Sequence, residues 1–157
     1  MSSNGIYVWD IKYGIPDNME TAYRFVADLN TVPESEPNPR MAAFGKKMAE
    51  FVRPALMYYD GDYALENIGG IACSTATTLE RVYCFEAKPA LLDEEVFVCA
   101  IIRAACENGL AVLENDWDMM FLPDGRQISY RGGQGDWRSY VAQGEAAWQQ
   151  LLEEAGK

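Results

Sequence analysis

The stretch from Asp93 to Pro123 constrains the fold more than any other. Asp93, Glu94 and Glu95 place three acids where the first turn of a helix favours negative charge. Val98, Ile101, Ile102 and Ala105 follow at helical spacing, which gives that helix one apolar face. Gly109 stands where helices end in a left-handed residue, with Leu110 packing back behind it. Directly beyond, Leu110–Glu114 and Asp118–Leu122 read as short strands joined across Asn115, Asp116 and Trp117. A helix that runs straight into a strand hairpin needs a sheet to lie against, so the chain belongs to a layered class containing both elements.

The rest of the chain extends that order. Ile6-Tyr7-Val8-Trp9 is β-branched and aromatic and predicts a buried strand, closed by Tyr13-Gly14-Ile15-Pro16. Asp17 and Glu20 have the spacing of a helix cap, and Met19, Ala22, Tyr23, Val26 and Leu29 form the stripe of the helix behind it. A polar, proline-rich connection spans 30–39. Asn38 is placed to cap a second helix with Pro39 at its first position, Met41, Phe44, Met48, Phe51 and Val52 as its stripe, and Pro54 as its stop. Tyr58 to Tyr63 predicts a tight turn, and Gly69 to Thr75 a loop or an irregular strand. Arg81–Phe85 predicts a second core strand and Gln127–Tyr130 an edge strand. Gly132–Gly135 reads as a hinge before a last helix capped by Asp136. The order β-α-α-β-α-β-β-(β)-α over residues 1–157 predicts one α+β domain. Its sheet is mixed and mainly antiparallel with helices packed on one face, and a ferredoxin-like centre is one such packing.

Function classes narrow with composition. The chain contains no histidine, which removes Ser-His-Asp and Cys-His nucleophile pairs and most zinc sites. Acids outnumber bases 24 to 13, a net charge of −11, and such a field repels nucleic acid and anionic membrane while drawing in cationic partners. No run approaches the about 18 apolar residues of a membrane span, and the N-terminus lacks a secretory pattern, so a cytoplasmic location is expected. Cys73, Cys84, Cys99 and Cys106 include no C-x-x-C pair; they read as reduced, with Cys84, Cys99 and Cys106 in apolar settings. No motif calls for a cofactor. Gly69-Gly70 before Ile71-Ala72-Cys73-Ser74 lacks the lysine of a phosphate loop and reads as a crowded crossing.

Two acidic-aromatic clusters remain as candidate sites. Glu114, Asp116 and Asp118 alternate along a hairpin, and no base occurs between Glu107 and Asp124. They could be a solvated tip, a hard-cation site or a pair of hydrolytic carboxylates. Trp117 among them favours a fourth reading, a protein-interface anchor. Tyr59, Asp60 and Asp62 repeat the theme as a second patch, since tyrosine gives rigid contact area and carboxylates pair with arginine or lysine.

The strand Ile6-Tyr7-Val8-Trp9, the amphipathic helix from Asp17, and the run Glu107–Leu113 leading to Phe121-Leu122-Pro123 together resemble small cytoplasmic immunity proteins of bacterial polymorphic and contact-dependent toxin systems. The resemblance implies a non-enzymatic inhibitor that binds a cognate toxin domain, often a basic nuclease. Charge offers an independent motive, because a nuclease must be cationic to hold phosphate and an acidic partner suits the same groove. A small-molecule-binding regulatory module and a carboxylate/divalent-metal enzyme are the competing expectations.

Overall fold

A computed structural model describes residues 5–85, 94–115, 117–130 and 133–155, with side chains described for all of these except 52–69, 94–97, 148, 151, 152 and 155. Strand β1 (Ile6–Asp10) leads through a 3-10 turn (Ile11–Tyr13) to α1 (Met19–Leu29) and α2 (Pro39–Thr77). Then come β2 (Val82–Phe85), α3 (Glu94–Glu107), β3 (Leu110–Glu114), β4 (Met119–Phe121), β5 (Arg126–Ser129), β6 (Gln134–Asp136) and α4 (Trp137–Ala155). The six strands form one sheet in the order β2-β1-β3-β4-β5-β6, antiparallel at every pairing. The α+β class and the mainly antiparallel sheet are as the sequence predicts.

The centre is half of a ferredoxin-like arrangement. Strand β1 is antiparallel to both β2 and β3, so those two run parallel with β1 between them, and α3 connects them as a split β-α-β unit. Among the described residues the sheet holds no second such unit, and β3 to β6 continue as a meander. Gln134 and Gly135, expected within a hinge, form with Asp136 the edge strand β6, and β5 lies one place further in.

Helices cover both faces, not one. Ile6, Val8, Leu110, Val112 and Phe121 share a core with Met41, Phe44 and Met48 of α2, Val98–Cys106 of α3, and Trp137 and Val141 of α4. Trp9, Ala111, Leu113, Met120 and Leu122, which alternate with them, pack on Met19, Ala22 and Val26 of α1. Strands apolar on both sides cannot leave either side in water. Fully burying a valine or methionine side chain contributes about 1.5–3 kcal/mol, so Met19 and Val26 fasten α1 to this face.

Local signals explain the helix ends. Asn38 accepts from the Arg40 amide at 2.9 Å with Pro39 at the first position, and Asp136 accepts from the Arg138 amide at 2.9 Å. Gly109 takes φ +78 and ends α3. The cap of α1 is Asn18, which accepts from the Thr21 amide at 2.9 Å, rather than Asp17. Asp10, 1% exposed, collects the Lys12 amide at 2.9 Å, Asn38 Nδ2 at 3.0 Å and an Arg40 guanidinium nitrogen at 3.1 Å. A buried carboxylate is tolerated when several donors compensate its desolvation. This one fastens the start of α2 to the end of β1.

Pro54 does not stop α2: the helical run continues to Thr77, through Tyr58–Tyr63, expected as a tight turn, and Gly69–Thr75, expected as a loop or an irregular strand. The run is nevertheless not straight. Thirty residues of straight helix span about 45 Å, yet a Cβ placed on Gly45 would sit directly on the Thr75 side chain. Phe44 and Ser74 also reach the same Tyr83, edge-on at 6.4 Å and by a 2.7 Å hydroxyl contact. The helical run therefore turns back between Gly45 and Thr75 and packs one arm on the other. Gly69-Gly70 falls inside it, so its amides are spent in helical bonds and no phosphate cradle forms. Among the described residues no helix is long and apolar enough to cross a membrane.

Candidate interaction surface

The acidic hairpin does not present its carboxylates together. Strand β3 ends at Glu114, which follows Leu110 and Val112 in alternation and is 0% exposed. The chain then turns, so strand alternation does not carry on to Asp118. Asp118 adopts φ 49, a left-handed conformation that aspartate tolerates. It accepts from the Tyr23 hydroxyl at 2.6 Å, and its carbonyl accepts from the Tyr130 amide at 3.0 Å. It thus ties α1 to the hairpin. Burial, the bond to Asp118 and the charges of Asp118 and Glu114 all push the Tyr23 hydroxyl pKa up. Trp117 is half-buried, packed against the α2–α4 core with its ring edge-on to Tyr140 at 6.0 Å and 90°. It has the core role that its place in a turn concealed. Asp116 lies outside the described residues. Tyr59, Asp60 and Asp62 lie within the helical run of α2, in the part over which it turns back, and their side chains are also outside the described set.

A second place joins three segments far apart in sequence. The Tyr13 hydroxyl donates to Glu34 Oε1 at 2.7 Å, and Arg81 Nε meets the same oxygen at 2.9 Å. The Arg81 guanidinium lies 5.0 Å from the Tyr13 ring centre, Lys12 Nζ 5.1 Å from it, and the Glu34 amide donates to the Leu79 carbonyl at 2.7 Å. Gly14, at φ 125, makes the turn that delivers Tyr13, and its carbonyl accepts from Trp9 Nε1 at 3.2 Å. Burial and the Glu34 bond push the Tyr13 hydroxyl up to about 12. The Tyr13 bond, aided by Arg81 and Lys12, holds the Glu34 carboxyl below its usual range.

Each of these segments also displays an aliphatic side chain. Ile15 is 39% exposed, Val32 50% and Leu79 42%; with Tyr130 they are the exposed large apolar residues among those described. Three of the four therefore stand within two residues of one polar hub. Singly, a valine in a polar loop carries no signal; the hub contacts bring the three segments together. Val32 inside Asn30-Thr31-Val32-Pro33-Glu34 was the one clue that the sequence offered.

Between α3 and α4 runs an open groove of about 450 Å³, lined by Arg103, Glu107, Trp137, Arg138, Val141 and Glu145 among others. Its cations are compensated: Arg103 bonds Glu107 at 3.1 Å and Glu145 at 2.6 Å, and Arg138 donates to the Asp124 carbonyl at 2.9 Å. Cys106 on its wall is buried, and burial pushes its thiol up, away from the reactive thiolate. Cys99 is buried too, whereas Cys84, expected in an apolar setting, is exposed along with Cys73. Among the described residues no three acids or cysteines gather as a metal site. No family model, curated protein or solved structure matches this chain.

Proposed function

We propose that this chain is a non-enzymatic binding protein that neutralises a cationic partner protein, in the manner of an immunity protein with its cognate toxin domain. The observation that carries the reading is the disposition of charge. Arg40, Lys47, Arg81, Arg103, Arg126 and Arg138 are all engaged by acids of the chain itself. Asp17, Glu20, Asp28, Glu36, Glu80, Glu153 and Glu154 are exposed and make no ion pair among the described residues. Of the nine Lys and Arg side chains described, those six are consumed internally and Lys12, Arg24 and Lys46 stay exposed without an ion pair, so the acids left unpaired outnumber the bases left unpaired and the surplus of acid faces solvent. Such a surface steers and selects a basic partner. Half-exposed aliphatics within it add area that anchors a protein rather than a counter-ion.

The test is genetic and biochemical. The gene beside this one should encode a large secreted protein with a basic C-terminal domain. Co-expression of this chain should restore growth to cells making that domain, and the two should co-purify as a stoichiometric complex. A toxic neighbour whose effect persists with this chain in excess would defeat the reading.

A further inference from the structure

We infer that the surface joining Ile15, Val32 and Leu79 over the Tyr13–Glu34–Arg81 hub is the docking site for the partner, and that it takes a segment carrying both basic and aliphatic side chains. The inference rests on the binding reading above and names the surface and the chemistry of its ligand.

Three physical features converge there. The first is the apolar display: side chains 39%, 50% and 42% exposed, on segments that the hub holds at fixed distance from one another. The Tyr13–Glu34 and Glu34–Leu79 hydrogen bonds of 2.7 Å and the Arg81–Glu34 ion pair of 2.9 Å tie together a region built of loop and turn, so less ordering entropy remains to be lost on binding. The second is charge. Asp17 and Glu36 lie two residues from Ile15 and Glu34, Glu80 is next to Leu79, and none has an ion-pair partner among the described residues. The cations present, Arg81 and Lys12, are already committed to Glu34 and to the Tyr13 ring. A basic side chain arriving at this rim therefore finds three exposed acids to meet against one exposed cation, Lys12, that no acid holds. The third is contrast with the hairpin, where Glu114 is buried and Asp118 holds Tyr23.

The probe is a peptide of alternating lysine and leucine, with an all-lysine peptide of equal length as the charge-only control, each titrated into the isotopically labelled full chain and followed by NMR. Saturable shifts confined to the amides of residues 13–17, 32–36 and 79–81 support the proposal. So does at least tenfold weaker binding of the all-lysine peptide, and a similar loss for the lysine-leucine peptide on Val32→Ser/Leu79→Ser. Both substitutions leave the hub bonds intact, and an otherwise unchanged spectrum shows the variant folded. Shifts centred on Asp118 and Tyr130, or undiminished binding by the double variant, overturn the surface while leaving a cationic partner standing. No saturable binding of either peptide overturns both the surface and the charge reading beneath it.

Discussion

Among the described glycines, Gly45 has the most tightly filled surroundings. Alanine there would gain about 1 kcal/mol in helix propensity over glycine. Against this, its Cβ would fall on the Thr75 hydroxyl, 2.7 Å from Thr75 Cβ and 3.1 Å from Cγ2. Carbon atoms rest at about 3.5–4.0 Å, so the two arms of α2 must part by about 1 Å at their crossing. Thr75 cannot swing clear, since it is 0% exposed and bonded to the Ile71 carbonyl at 2.8 Å. Parting the arms strains Met41, Phe44 and Met48, each no more than 1% exposed. Overpacking of this kind costs about 1–3 kcal/mol, and relaxation around two backbones puts this case at the upper end. After the propensity gain, Gly45→Ala should destabilise by about 1–2 kcal/mol, lowering the melting temperature by about 2–8 °C. Circular dichroism melts would measure it. Adding Thr75→Ala removes the atoms in worst overlap, so the double variant should lose less than the sum of the single losses. A melting point raised by Gly45→Ala alone would refute the close approach and the fold-back of α2 with it.

Trp117→Ala should lower the melting temperature by several degrees, about 1–3 kcal/mol, because the indole packs edge-on to Tyr140; an unchanged melt would return Trp117 to the surface. Tyr13 and Tyr23 hold their protons above the ordinary tyrosine value of 10.0, Tyr13 up to about 12. From about pH 10 upward the unfolded chain loses protons that the folded chain keeps, so stability should fall as pH rises through that window. Tyr23→Phe should flatten part of the fall in denaturant titrations, and an unaltered slope would deny the bond to Asp118. A thiol reagent should modify Cys73 and Cys84 in the native protein and reach Cys99 and Cys106 only on unfolding; rapid labelling of all four, read by mass spectrometry, would contradict the burial.

Where a residue's own backbone chemistry decides the structure, the sequence was legible. Gly109 ends α3 because φ +78 suits glycine, Asn38-Pro39 starts α2, and Asp136 caps α4. Gly109-Leu110 also led correctly from helix to strand and so to the α+β class. Pro54 misled because a local penalty of about 3 kcal/mol can be outweighed by tertiary packing of a long helical run. Glu114 misled because a charge suggests solvent, whereas its place in the alternation after Leu110 and Val112 put it in the interior. One helix face was assigned to the sheet although Trp9, Leu113 and Met120 already required cover on the other. The patch at Ile15, Val32 and Leu79 was illegible for a different reason. It depends on Tyr13, Glu34 and Arg81 meeting across 68 residues of chain, which no local pattern encodes.

The claim at the centre of this account is that displayed acid recruits a basic partner protein. The most direct measurement is the association rate with the cationic toxin domain proposed as its partner, by stopped-flow fluorescence from low to physiological salt. Steering by unpaired carboxylates predicts an on-rate that falls by about tenfold or more across that range while dissociation changes much less. An on-rate that stays flat, with dissociation carrying all the salt dependence, would contradict it.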